Sequence, residues 1–275
     1  MMASPLITRF APSPTGFLHL GHARAAQIAF DYATREGGTC LLRIEDIDHM
    51  RCRKDFTDAI FEDLGWLGFD WPSPVRIQSD HIKTYKSVIS HLTDLGLTYP
   101  CDKSRPEIKA SMARRGLSAY VRDDKEFLPA LKGNNIAWRL SMMACRAFLG
   151  EEFYQLGYWT FDLEGNRTWR AVRPDRFGDV VIARKDIGVS YHIAVTHDDH
   201  IQKVSHIIRG QDLESQTDIH VLINRLMGWS DAHYHHHPLI HRPDGQKLAK
   251  RNSDPSIRSM REAGLTVRDI FENIA

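Results

Sequence analysis

The sequence predicts an α/β protein: a doubly wound parallel sheet carrying an inserted α+β subdomain. Three observations predict it. A strand, a helix and a second strand follow one another closely between residues 6 and 44. The rhythm then loosens over residues 99–176, where charges are dense and helical segments short. Apolar segments resume from Val180 onward. Residues 6–10 are a short apolar strand, and Ala11-Pro12-Ser13-Pro14-Thr15-Gly16 is a loop that cannot be helical. In residues 21–36, Ala25, Ile28, Ala29, Tyr32 and Ala33 fall on helical spacing, and Gly37-Gly38 ends that helix. Residues 40–44 read as a buried strand, which makes a βαβ unit with a right-handed crossover. Gly165-Asn166 marks a hairpin turn between strands at 158–163 and 168–172. Residues 180–183 and 190–195 read as strands leading back into the main sheet, and Ile219, Leu222, Ile223, Leu226 and Met227 as a helix. The expected division is a catalytic part at 1–98 and 177–275, with the insert at 99–176.

Composition bounds the function classes. With 42% hydrophobic and 26% charged residues, the chain reads as a soluble globular protein with a sizeable core. No stretch approaches the ~20 apolar residues that cross a bilayer. The first nine residues lack a basic segment followed by an apolar run, so no secretory leader and a cytoplasmic location are expected. Cys40, Cys52, Cys101 and Cys145 form no C-x-x-C pair, which fits a reducing compartment. The net charge of +1 demands no nucleic-acid partner. Locally, residues 101–150 hold ten Lys and Arg against five Asp and Glu, with Arg167, Arg170, Arg173 and Arg176 beyond. Such a stretch is either a solvated face or a phosphate-tracking surface.

Two short motifs carry chemistry. His19-Leu20-Gly21-His22 opens the first helix, where unpaired N–H groups and a partial positive charge suit a phosphate. Gly21 lets the backbone approach closely, and the two imidazoles can donate to phosphate oxygens as charge builds. Near the C-terminus, Gly245-Gln246-Lys247-Leu248-Ala249-Lys250-Arg251 places two lysines beside a glycine, as a loop closing on a leaving pyrophosphate requires. Either motif alone is weak.

Together and in this order they resemble the HIGH and KMSKS signatures of class I aminoacyl-tRNA synthetases. The run Arg9-Phe10-Ala11-Pro12-Ser13-Pro14-Thr15-Gly16 and the run Leu42-Arg43-Ile44-Glu45-Asp46-Ile47-Asp48 are similar to the start of a glutamyl-tRNA synthetase. Tyr191-His192-Ile193-Ala194-Val195 with Asp198-Asp199, and Ile208-Arg209-Gly210-Gln211-Asp212-Leu213, resemble its later catalytic segments. The resemblance implies a Rossmann-type catalytic domain that activates glutamate with ATP and Mg2+. It implies that Arg9, Ser13, Glu45, Tyr191 and Arg209 line the amino-acid pocket. His19, Gly21, His22, Lys247 and Lys250 would hold ATP, with the two histidines and two lysines as the catalytic groups. The chemistry of a dicarboxylate agrees independently, since Arg9 and Arg209 can each grip a carboxylate bidentately and Glu45 can accept from an ammonium.

Sequence extends only two dozen residues past Arg251, so no anticodon-binding domain is expected. That resembles the short branch of the family, the glutamyl-queuosine tRNA(Asp) synthetases, which attach glutamate to the queuosine base in the anticodon of tRNA(Asp). Val195 and the run at 245–252 also resemble that branch. Its use here implies L-glutamate, ATP and queuosine-bearing tRNA(Asp) as partners, no membrane, and a monomer. Ala249 stands where the lysine loop usually has serine, which tunes the loop and leaves both lysines. After Tyr99-Pro100 only Cys101 remains of a C-x-C pair, and no cysteine lies near Tyr120, so neither zinc nor another bound metal is expected. Adjacent His235, His236 and His237 do not converge on one ion. The alternatives are a truncated synthetase charging the 3′ end of tRNA(Glu), another H-x-G-H nucleotidyltransferase, and a non-catalytic RNA-binding paralogue.

Overall fold

The structure is a computed structural model, described here for residues 5–123, 128, 136–240 and 255–274. Its first strand β1 (Ile7–Phe10) leads through the proline-rich loop to α1 (Leu20–Arg35) and back to β2 (Thr39–Ile44). β1 and β2 pair in parallel with Ile7 opposite Thr39, as the βαβ reading requires. Small side chains explain how closely α1 sits on the sheet: Ala23, Ala26, Ala29 and Ala33 are buried along one side. Helix α2 (Lys54–Trp66) crosses to β3 (Arg76–Ile77), the parallel partner of β2. Then follow α3 (Ile82–Asp94), β4 (Thr98–Cys101), α4 (Arg105–Arg115), β5 (Ala137–Leu140) and α5 (Met142–Leu149). The hairpin β6 (Gly157–Phe161) and β7 (Arg167–Ala171) turns where Gly165 takes a φ of 93°, a conformation glycine adopts without strain. Strand β8 (Val180–Ala183), helix α6 (Tyr191–Ile201), β9 (His206–Gly210), α7 (Thr217–Met227) and β10 (His233–His237) complete the sheet region. Two short helices close the chain, α8 (Ile257–Glu262) and α9 (Val267–Glu272).

The two parallel groups of strands meet between β1 and β9, where Ser205 N donates to the Ile7 carbonyl at 2.9 Å. β9 pairs in parallel with β10. Each face of the resulting sheet has its own core. One gathers Tyr85, Leu92, Ile193, Ile207 and Leu222 beneath α3, α6 and α7. The other gathers Phe10, Ala29, Leu42, Ile60, Ile208 and Ile270 beneath α1, α2 and α9. Ile207 and Ile208 point to opposite faces, as successive strand residues must. Burying a side chain such as Leu64 or Ile60 contributes ~1.5–3 kcal/mol.

Two sequence expectations change. Residues 190–195 are not a strand but the cap and first turns of α6, with Ser190 at its N-cap. The helix is enclosed on several sides, so 193 to 198 are all buried and no polar stripe betrays its period. β8 does not rejoin the parallel sheet; it pairs antiparallel with β5, in a three-stranded sheet with β4. Conversely, β6 pairs with β10, so the hairpin extends the main sheet. We propose that the division into 1–98 with 177–275 and 99–176 be read with those strands exchanged.

Candidate active site

A cavity of about 800 Å³ opens at the C-terminal ends of β1, β9 and β10, where open parallel sheets bind their ligands. Arg9, Ser13, His19, Gly21, His22, Glu45, Tyr191 and Arg209 all line it. These are all the expected site residues among the described ones. Lys247 and Lys250 lie outside the described residues.

One part of the cavity wall is built by the cap of α1. His19 Nδ1 accepts from Gly21 N at 3.1 Å, and His22 Nδ1 accepts from His19 N at 3.2 Å. Because both Nδ1 atoms accept from backbone N–H groups, each neutral ring carries its hydrogen on Nε2. A side chain at position 21 would crowd this arrangement, since a Cβ there would sit 2.9 Å from His19 Cε1. Two Nε2–H donors and a helix N-terminus thus come together, a combination that suits an anion. The segment after residue 254 returns to this motif: Ile257 N donates to Leu18 O at 2.8 Å.

Buried charge lines the cavity as well. Arg9 is 4% exposed, Arg209 6% and Glu45 8%. Asp199 accepts from Arg9 Nε at 3.1 Å and from Arg43 Nη2 at 2.8 Å. The same Arg43 Nη2 reaches Glu45 Oε1 at 3.3 Å. Burial opposes the charge on Asp199, but the Arg43 and Arg9 guanidiniums outweigh it and hold its pKa below the ordinary value. For Glu45 burial wins over Arg43 and Arg9, and the pKa rises. Asp199 is therefore the fixed counter-charge of the arginines, while Glu45, beside the same Arg43, is held less firmly in its charged form. The loop at 11–16 is tied to this corner by Glu45 N donating to Pro12 O at 3.1 Å.

Arg209 is clamped by three neighbours. Its Nε donates to His236 Nε2 at 3.3 Å, Nη1 to His220 Nδ1 at 3.2 Å and Nη2 to Thr217 Oγ1 at 2.6 Å. Its guanidinium also lies over the Tyr234 ring. A guanidinium has five N–H donors, so two remain for a ligand. His236, in β10, belongs to this clamp; burial and Arg209 push its pKa down to about 3, which keeps it an acceptor. Among the described residues no three His, Cys, Asp or Glu side chains gather in a metal-binding group.

Sequence reading missed several groups here. Arg24, Arg184, His192 and His237 line the cavity as well, and His220 stands directly behind it. His192 and His220 are 28 residues apart, and only the packing of α6 on α7 joins them. Asp198-Asp199 was visible as a motif, but not its partition: Asp198 turns to Gln78, Tyr85 and Arg76, while Asp199 turns to the cavity arginines.

The chain is similar to known proteins over most of its length. Residues 5–133 and 168–274 match the family model "tRNA synthetases class I (E and Q), catalytic domain". A "Glutamyl-Q tRNA(Asp) synthetase" of Rhodobacter capsulatus is 40% identical, covering 96% of this chain and 98% of that protein. A "Glutamate--tRNA ligase" of Aquifex aeolicus is 33% identical over 98% of this chain, which spans only 56% of that relative. The crystal structure of a glutamate tRNA ligase from Elizabethkingia meningosepticum, in complex with its amino acid, superposes with a TM-score of 0.70 at 27% identity. It covers 91% of this chain and 53% of its own. The chain belongs to the class I tRNA synthetases for E and Q, whose catalytic domain it carries.

Proposed function

We propose that the protein is an ATP-dependent ligase that activates glutamate without tRNA and transfers it to the queuosine base in the anticodon of tRNA(Asp). The observation that carries this reading is one cavity holding two buried arginines, a buried glutamate and a histidine-capped helix N-terminus. Arg209 and Arg9 take the side-chain carboxylate, and Glu45 accepts from the ammonium. The α-carboxylate of glutamate attacks the α-phosphate of ATP, and pyrophosphate leaves. His19 and His22 donate from Nε2 to phosphate oxygens, which strengthens as charge develops. Lys247 and Lys250 neutralise the pyrophosphate, and Mg2+ travels with the nucleotide. A hydroxyl of the queuosine cyclopentene ring then attacks the activated carbonyl, and AMP leaves. Positioning and charge supply the catalysis in the first step. The similarity to the Rhodobacter capsulatus protein over nearly its full length supports the queuosine acceptor over the 3′ end of tRNA(Glu).

The reading leaves zinc out of the insert. Cys101 is buried in β4 and Cys145 on α5, whereas a closed site needs about four N or S ligands. The same reading takes the protein to be a monomer of the cytoplasm.

The test is glutamate-dependent ATP–pyrophosphate exchange without tRNA, followed by labelled-glutamate transfer to tRNA(Asp) with and without queuosine. Exchange plus queuosine-dependent transfer is expected. Transfer only to tRNA(Glu) would identify a truncated conventional synthetase, and no exchange would leave an RNA-binding protein.

A further inference from the structure

We propose that His192 is a specificity-determining residue, a hydrogen-bond donor locked by His220 and Arg209 that excludes glutamine from the amino-acid pocket. The inference rests on the glutamate reading above. Its basis is a one-way chain of hydrogen bonds. Arg209 can only donate, so His220 Nδ1, 3.2 Å from Nη1, must accept. The hydrogen of neutral His220 therefore sits on Nε2, which faces His192 Nδ1 at 3.1 Å and donates to it. Nδ1 of His192 must then accept, and the hydrogen of its own neutral ring is left on Nε2. His192 lines the same cavity as Tyr191 and Arg209, and among the described residues no hydrogen bond engages that Nε2.

The polarity of the chain is set by a group that never loses its charge. For His192 to offer a lone pair at Nε2, both imidazoles would have to exchange tautomers. His220 would then point an N–H at the N–H of Arg209. Protonation of either ring meets the same opposition. Burial and then Arg209 hold His192 down to about 4, and His220 well below its ordinary value. Both rings are neutral at physiological pH and stay in this order.

A wall that only donates discriminates between a carboxylate and a carboxamide. The side chain of glutamate offers acceptors alone and matches the two remaining N–H groups of Arg209, those of Arg9, and His192 Nε2–H. Glutamine has the same shape but carries an NH2, which finds only donors on this wall. Glu45 is engaged by the ammonium, and Tyr191 supplies a single hydroxyl that can act either way. Removing the lock frees His192 to present its lone pair to the amide, so selectivity falls while the cavity keeps its shape. Specificity here is the repulsive element of the site.

The experiment measures ATP–pyrophosphate exchange with glutamate and with glutamine, together with imidazole 15N shifts of His192 assigned by comparison with His192→Gln. His220→Phe removes the relay. His220→Gln restores it, since the amide oxygen accepts from Arg209 and the amide nitrogen donates to His192. In the wild-type protein the shifts should show hydrogen on Nε2. His220→Phe should lower the glutamate-over-glutamine ratio of kcat/KM roughly tenfold, the scale of one unpaired buried polar group, and His220→Gln should recover most of it. Hydrogen on Nδ1 of wild-type His192 would overturn the lock, whatever the enzyme activates and whether or not His220→Phe folds. An unchanged ratio in an active His220→Phe would overturn the specificity role. Wild-type protein that exchanges with neither amino acid would sink the glutamate reading instead, and the shifts would still decide the tautomer.

Discussion

At the scale of single residues, the site depends on cations whose positions are fixed before any ligand arrives. Arg209 is the clearest case, with His236, His220 and Thr217 each holding one of its nitrogens. Lysine could keep the charge at this position but not three anchors and a forked pair of free donors. Arg209→Lys is therefore expected to lower kcat/KM for glutamate by about 10- to 100-fold in the exchange assay, the scale of one or two charge-assisted hydrogen bonds. The KM for ATP should change far less, because among the described residues the histidines of the α1 cap share no hydrogen bond with Arg209 or its clamp. An equal loss for both substrates would mean that Arg209 supports the fold of the cavity and not the carboxylate. The identity of this arginine was legible in the sequence, through the segment around Gly210. Its clamp was not, because β9, α7 and β10 contribute one or two groups each from separate stretches of chain. A histidine-rich strand such as β10 suggests metal from its letters alone. In the fold, His236 turns to Arg209 while His235 faces the carbonyl of Phe161.

Elements place these residues, and where two elements meet the sequence offers less warning. Periodicity revealed α1 because one side faces solvent and the other the sheet. The same reasoning failed for α6, whose enclosure erases the pattern, and for the strand exchange between insert and sheet, which depends on pairing partners distant in sequence. The contact of α2 with α8 shows what such junctions can hide. Asp63 is fully buried on α2, neither carboxylate oxygen has a hydrogen-bond partner among the described residues, and Arg261 of α8 comes no nearer than 3.9 Å. Arg261 instead pairs with Glu62 at 2.8 Å. Burial lifts the Asp63 pKa from 3.8 to about 6, with Arg261 opposing only in part. A carboxyl whose folded pKa exceeds its unfolded one binds its proton more tightly in the native state. Its contribution to stability is thus present below about pH 4 and lost as pH rises through 6, amounting to at most ~3 kcal/mol. Asp63→Asn should therefore stabilise the protein at pH 7.5 and make little difference at pH 4. Denaturant midpoints of both proteins at the two pH values check this. A gain of equal size at both would trace the effect to packing and not to the proton.

For the whole molecule, the balance of 36 Lys and Arg against 35 Asp and Glu means that long-range attraction for RNA is weak. Any grip on phosphates has to come from local concentrations of charge. The insert supplies one: α4 carries Arg105, Lys109, Arg114 and Arg115 against the single acid Glu107, and Arg105, Lys109 and Arg114 are exposed. The two half-reactions should then respond differently to salt. Amino-acid activation takes place in a cavity where Arg9, Glu45 and Arg209 are buried, so exchange at saturating Mg-ATP should depend weakly on KCl. Transfer requires phosphate binding that releases counterions, so its KM for tRNA should rise steeply with KCl on a log–log plot. Replacing Arg105 and Lys109 together by alanine is expected to reduce that slope by roughly one to two, about one for each phosphate no longer neutralised, while exchange is unchanged. A slope untouched by the double replacement would move the RNA path away from α4, to the Arg184 rim of the cavity or to the hairpin of β6 and β7. The same measurement weighs the two acceptors. The insert lies well away in sequence from the catalytic motifs, yet its strand β5 pairs with β8, which ends at Ala183, next to Arg184 on the cavity wall. Charge on the insert can therefore set how an RNA enters without altering how glutamate is activated.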